Sequence, residues 1–354
     1  MKKSFRVCFF SMLVLFFFVM LLQGSLAMAA AAKPITLKFG TWQGGGMKNP
    51  LTVAQYTYLD ELEKRTNGAV KFERYDAGSL APGPALLEAV QVGIADVAGL
   101  VPPYYRAELP LHQLTVLPGF SEYPFPKAMA FYRLYERIPE LKKELTKHNI
   151  MLINVQALKS SGVFSKKPVR SISDLKGMKL RVLGYQAELL AALGGVPVSM
   201  ATSEIYEAIA KGTIDGHIHN APAIMAFGTF ELCKFYTEFN FGDPVFLMGM
   251  NLNTYNRLPD NVKKTIEDMR EDGIKQTVGV CAKLNHMLEG KMKEVGIEFI
   301  KPPEADVAKV AEHAEQILVK WVKDMEAKGL PAQKVVSEYK TLITEYQPLP
   351  VWSK

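Results

Sequence analysis

Two histidines one residue apart have the spacing in this sequence that most directly allows chemistry. His217 and His219 lie in a run that is typical of a β-strand, and alternate residues of a strand face the same side. Two imidazoles on one face could bind a metal ion, or one of them could point into a ligand cleft. The sequence offers no third metal ligand at a familiar spacing. We therefore favour the cleft and predict neither a metal site nor a cofactor.

Sequence motifs of hydrolases and nucleotide-binding enzymes are missing. No G-x-S-x-G, G-x-x-x-x-G-K-[ST], G-x-G-x-x-G or H-E-x-x-H pattern occurs. The glycines at 44–46 follow the first predicted strand without the Lys-Ser/Thr pair of a nucleotide site, which favours a turn beside a cleft. The acidic pairs at 267–268 and 271–272 alternate with Lys and Arg, as on a solvated helix face. We expect no enzymatic activity.

The N-terminus has the layout of a secretory signal peptide. Three basic residues within the first six precede an apolar run over 7–22, and small residues fill 27–32. The alternative is a membrane anchor, but the run is shorter than the ~20 residues that a bilayer requires. We predict that residues 1–32 are removed, by cleavage after Ala29 or Ala32, and that the mature chain is free in the periplasm.

Composition indicates an ordinary globular protein of two domains. The chain has 354 residues, 48% of them hydrophobic and 22% charged. Loss of the three leader cations lowers the formal net charge from +6 to +3, and no dense Lys/Arg run occurs, so we expect no nucleic-acid partner. Cys233 and Cys281 would remain, either as a disulfide or as two buried thiols.

Short β-like runs alternate with helical runs along the mature chain, which predicts largely parallel sheets covered by helices. The predicted strands are 35–40, 70–75, 94–101, 150–157, 163–165, 179–183, 196–200, 214–219, 245–253 and 297–300. The predicted helices are 50–66, 84–92, 125–148, 186–193, 203–210, 222–230, 304–328 and 333–346. A further segment, 258–295, is typical of one very long helix, or two in series, and would extend roughly 50 Å, farther than one small domain.

The segment 171–182, Ser-Ile-Ser-Asp-Leu-Lys-Gly-Met-Lys-Leu-Arg-Val, resembles the signature of TRAP transporter solute receptors, the DctP-type periplasmic solute-binding proteins. Other segments match this family in order over nearly the whole mature chain. They are Asn67-Gly68, 70–73, 77–80, 90–97, Pro197-Val198, 203–208, 212–216, Met250-Asn251 and Leu258-Pro259.

The resemblance implies an α/β fold of two lobes with a ligand cleft between them and a long helix spanning both. We place 33–158 and about 245–285 in lobe I, 159–244 and about 304–346 in lobe II, and the bracing helix at 258–295. The implied function is capture of an organic-acid anion for the membrane subunits of a TRAP-type secondary transporter, by a monomer or homodimer. A periplasmic enzyme or a ligand-sensing protein on the same scaffold is the alternative.

Arg181 matches the family's carboxylate-binding arginine, and a guanidinium can donate two parallel N–H groups to one carboxylate. Other cleft positions depart from the sialic-acid receptors of the family: Ser161 replaces a second arginine, Trp42 and His219 replace asparagines, and Val101 replaces a glutamate. These exchanges remove polar groups and favour a carboxylate with a flatter, less hydroxylated body. We predict ligand contacts from Arg181, Trp42, His219, Asn220, Tyr104 and Phe241, and an aromatic or apolar monocarboxylate as ligand. A C4-dicarboxylate is the alternative, although no second cation is identified for it.

Overall fold

A computed structural model of the protein describes residues 33–44, 49–121 and 123–347. The predicted leader and two of the three glycines at 44–46 lie outside the described residues. All the helices below lie in one compact unit, Thr36–Lys354. Among the described residues, no helix is both long and apolar enough to cross a membrane.

Eleven strands and eleven α-helices are present in the described residues. The strands are β1 Ile35–Gly40, β2 Val70–Tyr75, β3 Val97–Leu100, β4 Ile150–Ala157, β5 Gly162–Ser165, β6 Lys179–Arg181, β7 Val196–Val198, β8 Gly216–His219, β9 Phe235–Thr237, β10 Val245–Asn251 and β11 Glu298–Ile300. The helices are α1 Pro50–Arg65, α2 Leu86–Gln91, α3 Pro124–Arg137, α4 Pro139–Thr146, α5 Tyr185–Ala192, α6 Ile205–Ala210, α7 Ala223–Ala226, α8 Leu252–Arg257, α9 Asp260–Glu294, α10 Glu304–Glu326 and α11 Ala332–Tyr346.

The strands form two separate sheets. One has five strands in the order β2-β1-β3-β10-β4, and the other has six in the order β11-β9-β5-β8-β6-β7. Both are mixed: β10 is antiparallel to β3 and β4, and β5 is antiparallel to β8 and β9, whereas β1–β3, β6–β7, β6–β8 and β9–β11 are parallel pairs. The expectation of largely parallel sheets is therefore wrong.

The mixed strand directions follow from two crossovers between the sheets. The chain leaves β4 through residues 158–161 to enter β5, and it returns from β9 through residues 238–244 to enter β10. The crossovers lie side by side, since the Ser161 N–H donates to the Gly242 carbonyl at 2.9 Å and the Phe241 N–H donates to the Ser161 carbonyl at 3.1 Å. In the five-stranded sheet, β4 ends and β10 begins at the edge that faces the crossovers, so these two strands are antiparallel. In the six-stranded sheet, β5 begins and β9 ends at that edge, so they are antiparallel as well.

The helix expected over 125–148 is two helices, α3 and α4, with Ile138 between them. Pro139 has no N–H to donate and disfavours helical geometry at the residue before it, and Ile138 is extended, with φ −108° and ψ 103°. The short strand β9 was not predicted from sequence. It is only three residues long and lies at the start of the returning crossover.

The 35-residue helix α9 is continuous and extends about 52 Å at 1.5 Å per residue. Its N-terminal part buries Val262 and Ile266 in a core that includes strands of the five-stranded sheet. Its C-terminal part buries Met292 in a core with Phe164 of the six-stranded sheet, and the chain then enters β11 of that sheet. One long helix therefore packs against both sheets, as expected from the sequence.

The two C-terminal helices pack in different places. Helix α10 contacts α5, beside the six-stranded sheet, whereas α11 packs along α3, beside the five-stranded sheet. Tyr339 of α11 donates its hydroxyl hydrogen to the Lys127 carbonyl at 3.3 Å. This packing favours placing α11 with lobe I rather than lobe II. Cys233 and Cys281 are both buried free thiols, so the second of the two alternatives for these residues is confirmed.

Candidate functional site

A cavity lies between the two sheets, where the crossovers pass from one to the other. It encloses about 640 Å³ of space including its opening. Five of the six residues predicted as ligand contacts line it: Arg181, Trp42, His219, Asn220 and Tyr104. The sixth, Phe241, is not among the lining residues. It is fully buried and packs edge-on against Phe239 at 6.3 Å between ring centroids.

Arg181 is the last residue of β6, a strand between two parallel neighbours. Its side chain is 2% exposed. Nε and Nη2 both donate to the main-chain oxygen of Met200, at 3.1 and 3.0 Å, and Nη1 donates to Nε2 of His219 at 2.9 Å. These contacts hold the guanidinium in one orientation.

The contacts described above leave two N–H groups of Arg181 over. A guanidinium has five N–H groups, and three of them make the contacts above, which leaves one on each terminal nitrogen. The one on Nη2 reaches only the Tyr104 hydroxyl oxygen, at 3.5 Å. Two donors on adjacent nitrogens can hold the two oxygens of one carboxylate.

The two histidines form a directed hydrogen-bond chain behind Arg181. Because arginine only donates, His219 accepts at Nε2 and carries its proton on Nδ1, which lies 3.1 Å from Nδ1 of His217. His217 accepts there, so its proton is on Nε2, which donates to the Thr229 hydroxyl oxygen at 2.9 Å. The expectation that both rings face the same side is confirmed. All four ring nitrogens take part in these hydrogen bonds.

Burial determines the charges of this chain. Desolvation lowers the pKa of His217 to about 3 and that of His219 well below its ordinary value, with the positive charge of Arg181 as the second cause. Both imidazoles are therefore neutral at physiological pH. Desolvation also lowers the pKa of Arg181, to about 10, so the guanidinium stays charged. Among the described residues it has no salt-bridge partner, and a buried cation without one favours an anionic ligand.

Aromatic and aliphatic side chains form much of the cavity wall. Trp42, which follows β1, stacks on Phe246 of β10 with ring centroids 5.8 Å apart and planes 19° apart. Tyr104 ends a short 3₁₀ turn after β3. Gly83 makes room for both rings, since a Cβ there would lie 3.1 Å from the Trp42 Cβ and 2.9 Å from the Tyr104 ring. Aliphatic lining residues include Leu183 and Ile218.

Asp243, the centre of a polar cluster at the crossovers, was missed from sequence. Asp243 lines the cavity, and its Oδ1 accepts hydrogen bonds from the Ser161 hydroxyl at 2.8 Å and the Asn220 amide at 3.3 Å. Its Oδ2 is buried and has no hydrogen-bond partner among the described residues. Gln43, Asn49 and Gln186 also line the cavity. The available signal was the Gly-Asp-Pro sequence immediately before the apolar run of β10.

Burial raises the pKa of Asp243 to about 6, mainly by desolvation, which the Lys127 charge and the Ser161 and Asn220 hydrogen bonds partly offset. The carboxyl is therefore mostly ionised at neutral pH. Its pKa lies above the ordinary value of 3.8, so the folded protein binds this proton more tightly than the unfolded chain. The stability that this group contributes is present below about pH 4 and is lost as the pH rises through about 6.

Within the described residues, no group of three or more His, Cys, Asp and Glu side chains could hold a metal ion.

The family model for bacterial extracellular solute-binding proteins, family 7 (DctP), matches residues 47–324. The chain belongs to this family. DctP-type proteins are the solute receptors of TRAP transporters and not enzymes, they bind small organic acids, and they work in the periplasm with membrane components of the transporter.

Individual relatives agree with this assignment. The chain is 27% identical over 282 residues to the C4-dicarboxylate-binding periplasmic protein DctP of Rhodobacter capsulatus, a match that covers 77% of this chain and 81% of that protein. A TRAP periplasmic solute-binding protein of Desulfovibrio salexigens, solved in an open complex, is 26% identical with a TM-score of 0.76, covering 90% of this chain and 99% of that one.

A third comparison supports the fold alone. The TRAP solute-binding protein of Rhodoferax ferrireducens, solved with copurified benzoate, is 23% identical with a TM-score of 0.81, and the match covers 88% of this chain and 98% of that one. The two-lobe receptor fold expected from the sequence is thus confirmed.

Proposed function

We propose that this DctP-type receptor captures a monocarboxylate with a flat, largely apolar body and delivers it to the membrane subunits of a TRAP transporter. The observation that carries the proposal is the environment of Arg181. Its guanidinium is buried and charged, lacks an ion-pair partner among the described residues, and keeps two N–H donors available at the cavity. In the proposed complex the ligand carboxylate occupies these donors and neutralises the cation.

The rest of the cavity supports a single carboxylate. Among the described residues that line the cavity, Arg181 is the only one with a cationic side chain, and a second carboxylate on the ligand would face the ionised Asp243. The stacked Trp42 and Phe246 rings offer an apolar surface for the ligand body. The relatives bind different acids, a C4-dicarboxylate in one and benzoate in another, so the ligand class proposed here rests on the residues of this chain.

The proposed ligand contacts are Arg181, Trp42, His219, Asn220 and Tyr104. Of these, His219 acts mainly by holding Arg181. The crossovers 158–161 and 238–244 would be the hinge about which the lobes close, with α9 spanning both lobes as a brace. We further propose that residues 1–32 direct export and are removed, and that the mature receptor is free in the periplasm as a monomer or homodimer.

Titration calorimetry with benzoate as the probe tests this proposal. Arg181→Ala should lower the affinity roughly 10- to 100-fold, as expected for loss of a hydrogen-bonded ion pair. Arg181→Lys should recover only part of it, because an ammonium cannot hold both carboxylate oxygens. The matched control is Arg170→Ala, which removes an exposed arginine paired with Glu298 and should bind as the wild type does. Equal binding by wild type and Arg181→Ala would refute the anchor, and binding of C4-dicarboxylates in preference to benzoate would refute the ligand class.

A further inference from the structure

Only one oxygen of the Asp243 carboxylate has hydrogen-bond partners among the described residues, and the other is available to a ligand. Its side chain is 3% exposed and lines the same cavity as Arg181. One oxygen, Oδ1, accepts two hydrogen bonds from Ser161 and Asn220. The other, Oδ2, is buried without a hydrogen-bond partner among the described residues. A buried acceptor of this kind is rare in folded proteins because it has lost its bonds to water.

The neighbours of Asp243 fix its position. Ser161 and Asp243 lie on the two crossovers, so their hydrogen bond joins the two segments that connect the sheets. Lys127 of α3 donates to the carbonyl oxygens of Leu158 and Asp243, at 2.7 and 3.4 Å. These contacts hold the main chain beside the carboxylate, and the ammonium charge favours the ionised form of Asp243. The carboxylate is therefore held in place at the cavity that it lines.

An ionised carboxylate oxygen accepts hydrogen bonds and donates none. The group that completes Oδ2 must therefore carry a hydroxyl or N–H hydrogen. A ligand carboxylate cannot do so, since two ionised carboxylates in contact repel each other. Asn220 directly follows His219, which contacts Arg181, so the cation and the acceptor belong to one connected set of residues at the cavity.

We propose that Asp243 determines specificity: its Oδ2 accepts a hydrogen bond from a hydroxyl or N–H group on the body of the ligand while Arg181 holds the carboxylate. This inference rests on the proposed function and narrows it. The ligands are monocarboxylates that carry a hydrogen-bond donor, and acids with a second ionised carboxylate are excluded by Asp243. A site built to hydrogen-bond a ligand hydroxyl discriminates strongly against an analogue that lacks it.

The test compares matched aromatic acids on the wild-type mature chain by titration calorimetry at pH 7.5. The probes are benzoate, its three hydroxy isomers, the corresponding fluoro isomers, which match the hydroxyl in size but donate no hydrogen, and benzene-1,3-dicarboxylate. At least one hydroxy isomer should bind roughly 10- to 100-fold more tightly than its fluoro counterpart. The dicarboxylate should bind more weakly than benzoate.

Asp243→Asn provides the second arm, with Asp268→Asn on the exposed face of α9 as the charge-matched control. The asparagine should reduce the hydroxy-over-fluoro preference and improve binding of the dicarboxylate relative to benzoate, whereas the control should change neither ratio. If benzoate binds in an Arg181-dependent manner and no hydroxy isomer is preferred, the role of Asp243 is refuted and the proposed function stands. If none of the acids binds, the proposed function fails and this inference fails with it. Should Asp243→Asn not fold, the wild-type ligand series alone decides the question.

Discussion

His217 is expected to control ligand affinity without touching the ligand. It does not line the cavity, but its Nδ1 accepts the hydrogen of His219 Nδ1 at 3.1 Å. His217→Leu removes that acceptor and places an apolar side chain of similar size against Phe164. His219 then either leaves its Nδ1–H buried and unpaired, or shifts the proton to Nε2, where it would face a donor nitrogen of Arg181 2.9 Å away.

Both outcomes have an expected magnitude. An unpaired buried donor costs about 1–3 kcal/mol of folding stability. The shifted proton instead removes a hydrogen bond to the charged guanidinium, worth about 1.5–3 kcal/mol, and frees Arg181 to move. If that energy is lost on binding, the dissociation constant for benzoate rises roughly 10- to 100-fold. We expect the loss of affinity in His217→Leu, whether or not the loss of stability accompanies it.

Two further variants separate an effect on the orientation of Arg181 from a general loss of folding stability. His217→Asn keeps a side-chain oxygen near the position of Nδ1, so it should still accept from His219 and recover most of the affinity. Thr229→Val removes the acceptor at the far end of the chain, so it should lower stability by about 1–3 kcal/mol with little loss of affinity. Titration calorimetry and urea unfolding measure the two quantities. Wild-type affinity in His217→Leu, or no recovery in His217→Asn, would refute the reasoning.

Three further predictions follow from the packing and the charges. Asp243→Asn should be more stable than the wild type at pH 7.5, by up to about 3 kcal/mol for a pKa raised from 3.8 to about 6. Urea titrations should show this gain in stability shrinking as the pH falls to 4. A difference in stability that stays constant with pH would contradict the prediction. Gly216→Ala should unfold at markedly lower urea, since its Cβ would lie 1.9 Å from a backbone oxygen of β5, whereas the control Gly290→Ala, in open space on α9, should gain up to about 1 kcal/mol. Cys233 and Cys281 are buried free thiols, and burial raises the pKa of both, that of Cys233 to about 12. A chromogenic disulfide reagent at pH 8 should therefore label neither thiol in the folded protein and both in urea. Rapid labelling of the native protein would show that the thiols are accessible and would contradict this prediction.

Local sequence signals predicted the elements well wherever one short segment carries the information. Strands β1, β2 and β4 have the predicted bounds, and α9 begins and ends within two residues of the predicted helix. The residue types and spacing of His217 and His219 also determined that both rings share one face of β8, because side chains alternate along any strand. The family signature identified Arg181 as the candidate carboxylate-binding residue, and the structure places it at the end of β6, beside the cavity.

Features that depend on where the chain returns were decided by the tertiary structure. The antiparallel direction of β5 and β10 follows from two crossovers that lie side by side, and local periodicity carries no information on such a pairing. Phe241 and Asp243 lie two residues apart on one crossover, yet the aromatic ring is buried in the core and the carboxylate lines the cavity. Residue type alone favoured the reverse. Their positions depend on contacts with segments distant in sequence, and only the folded chain brings those segments together.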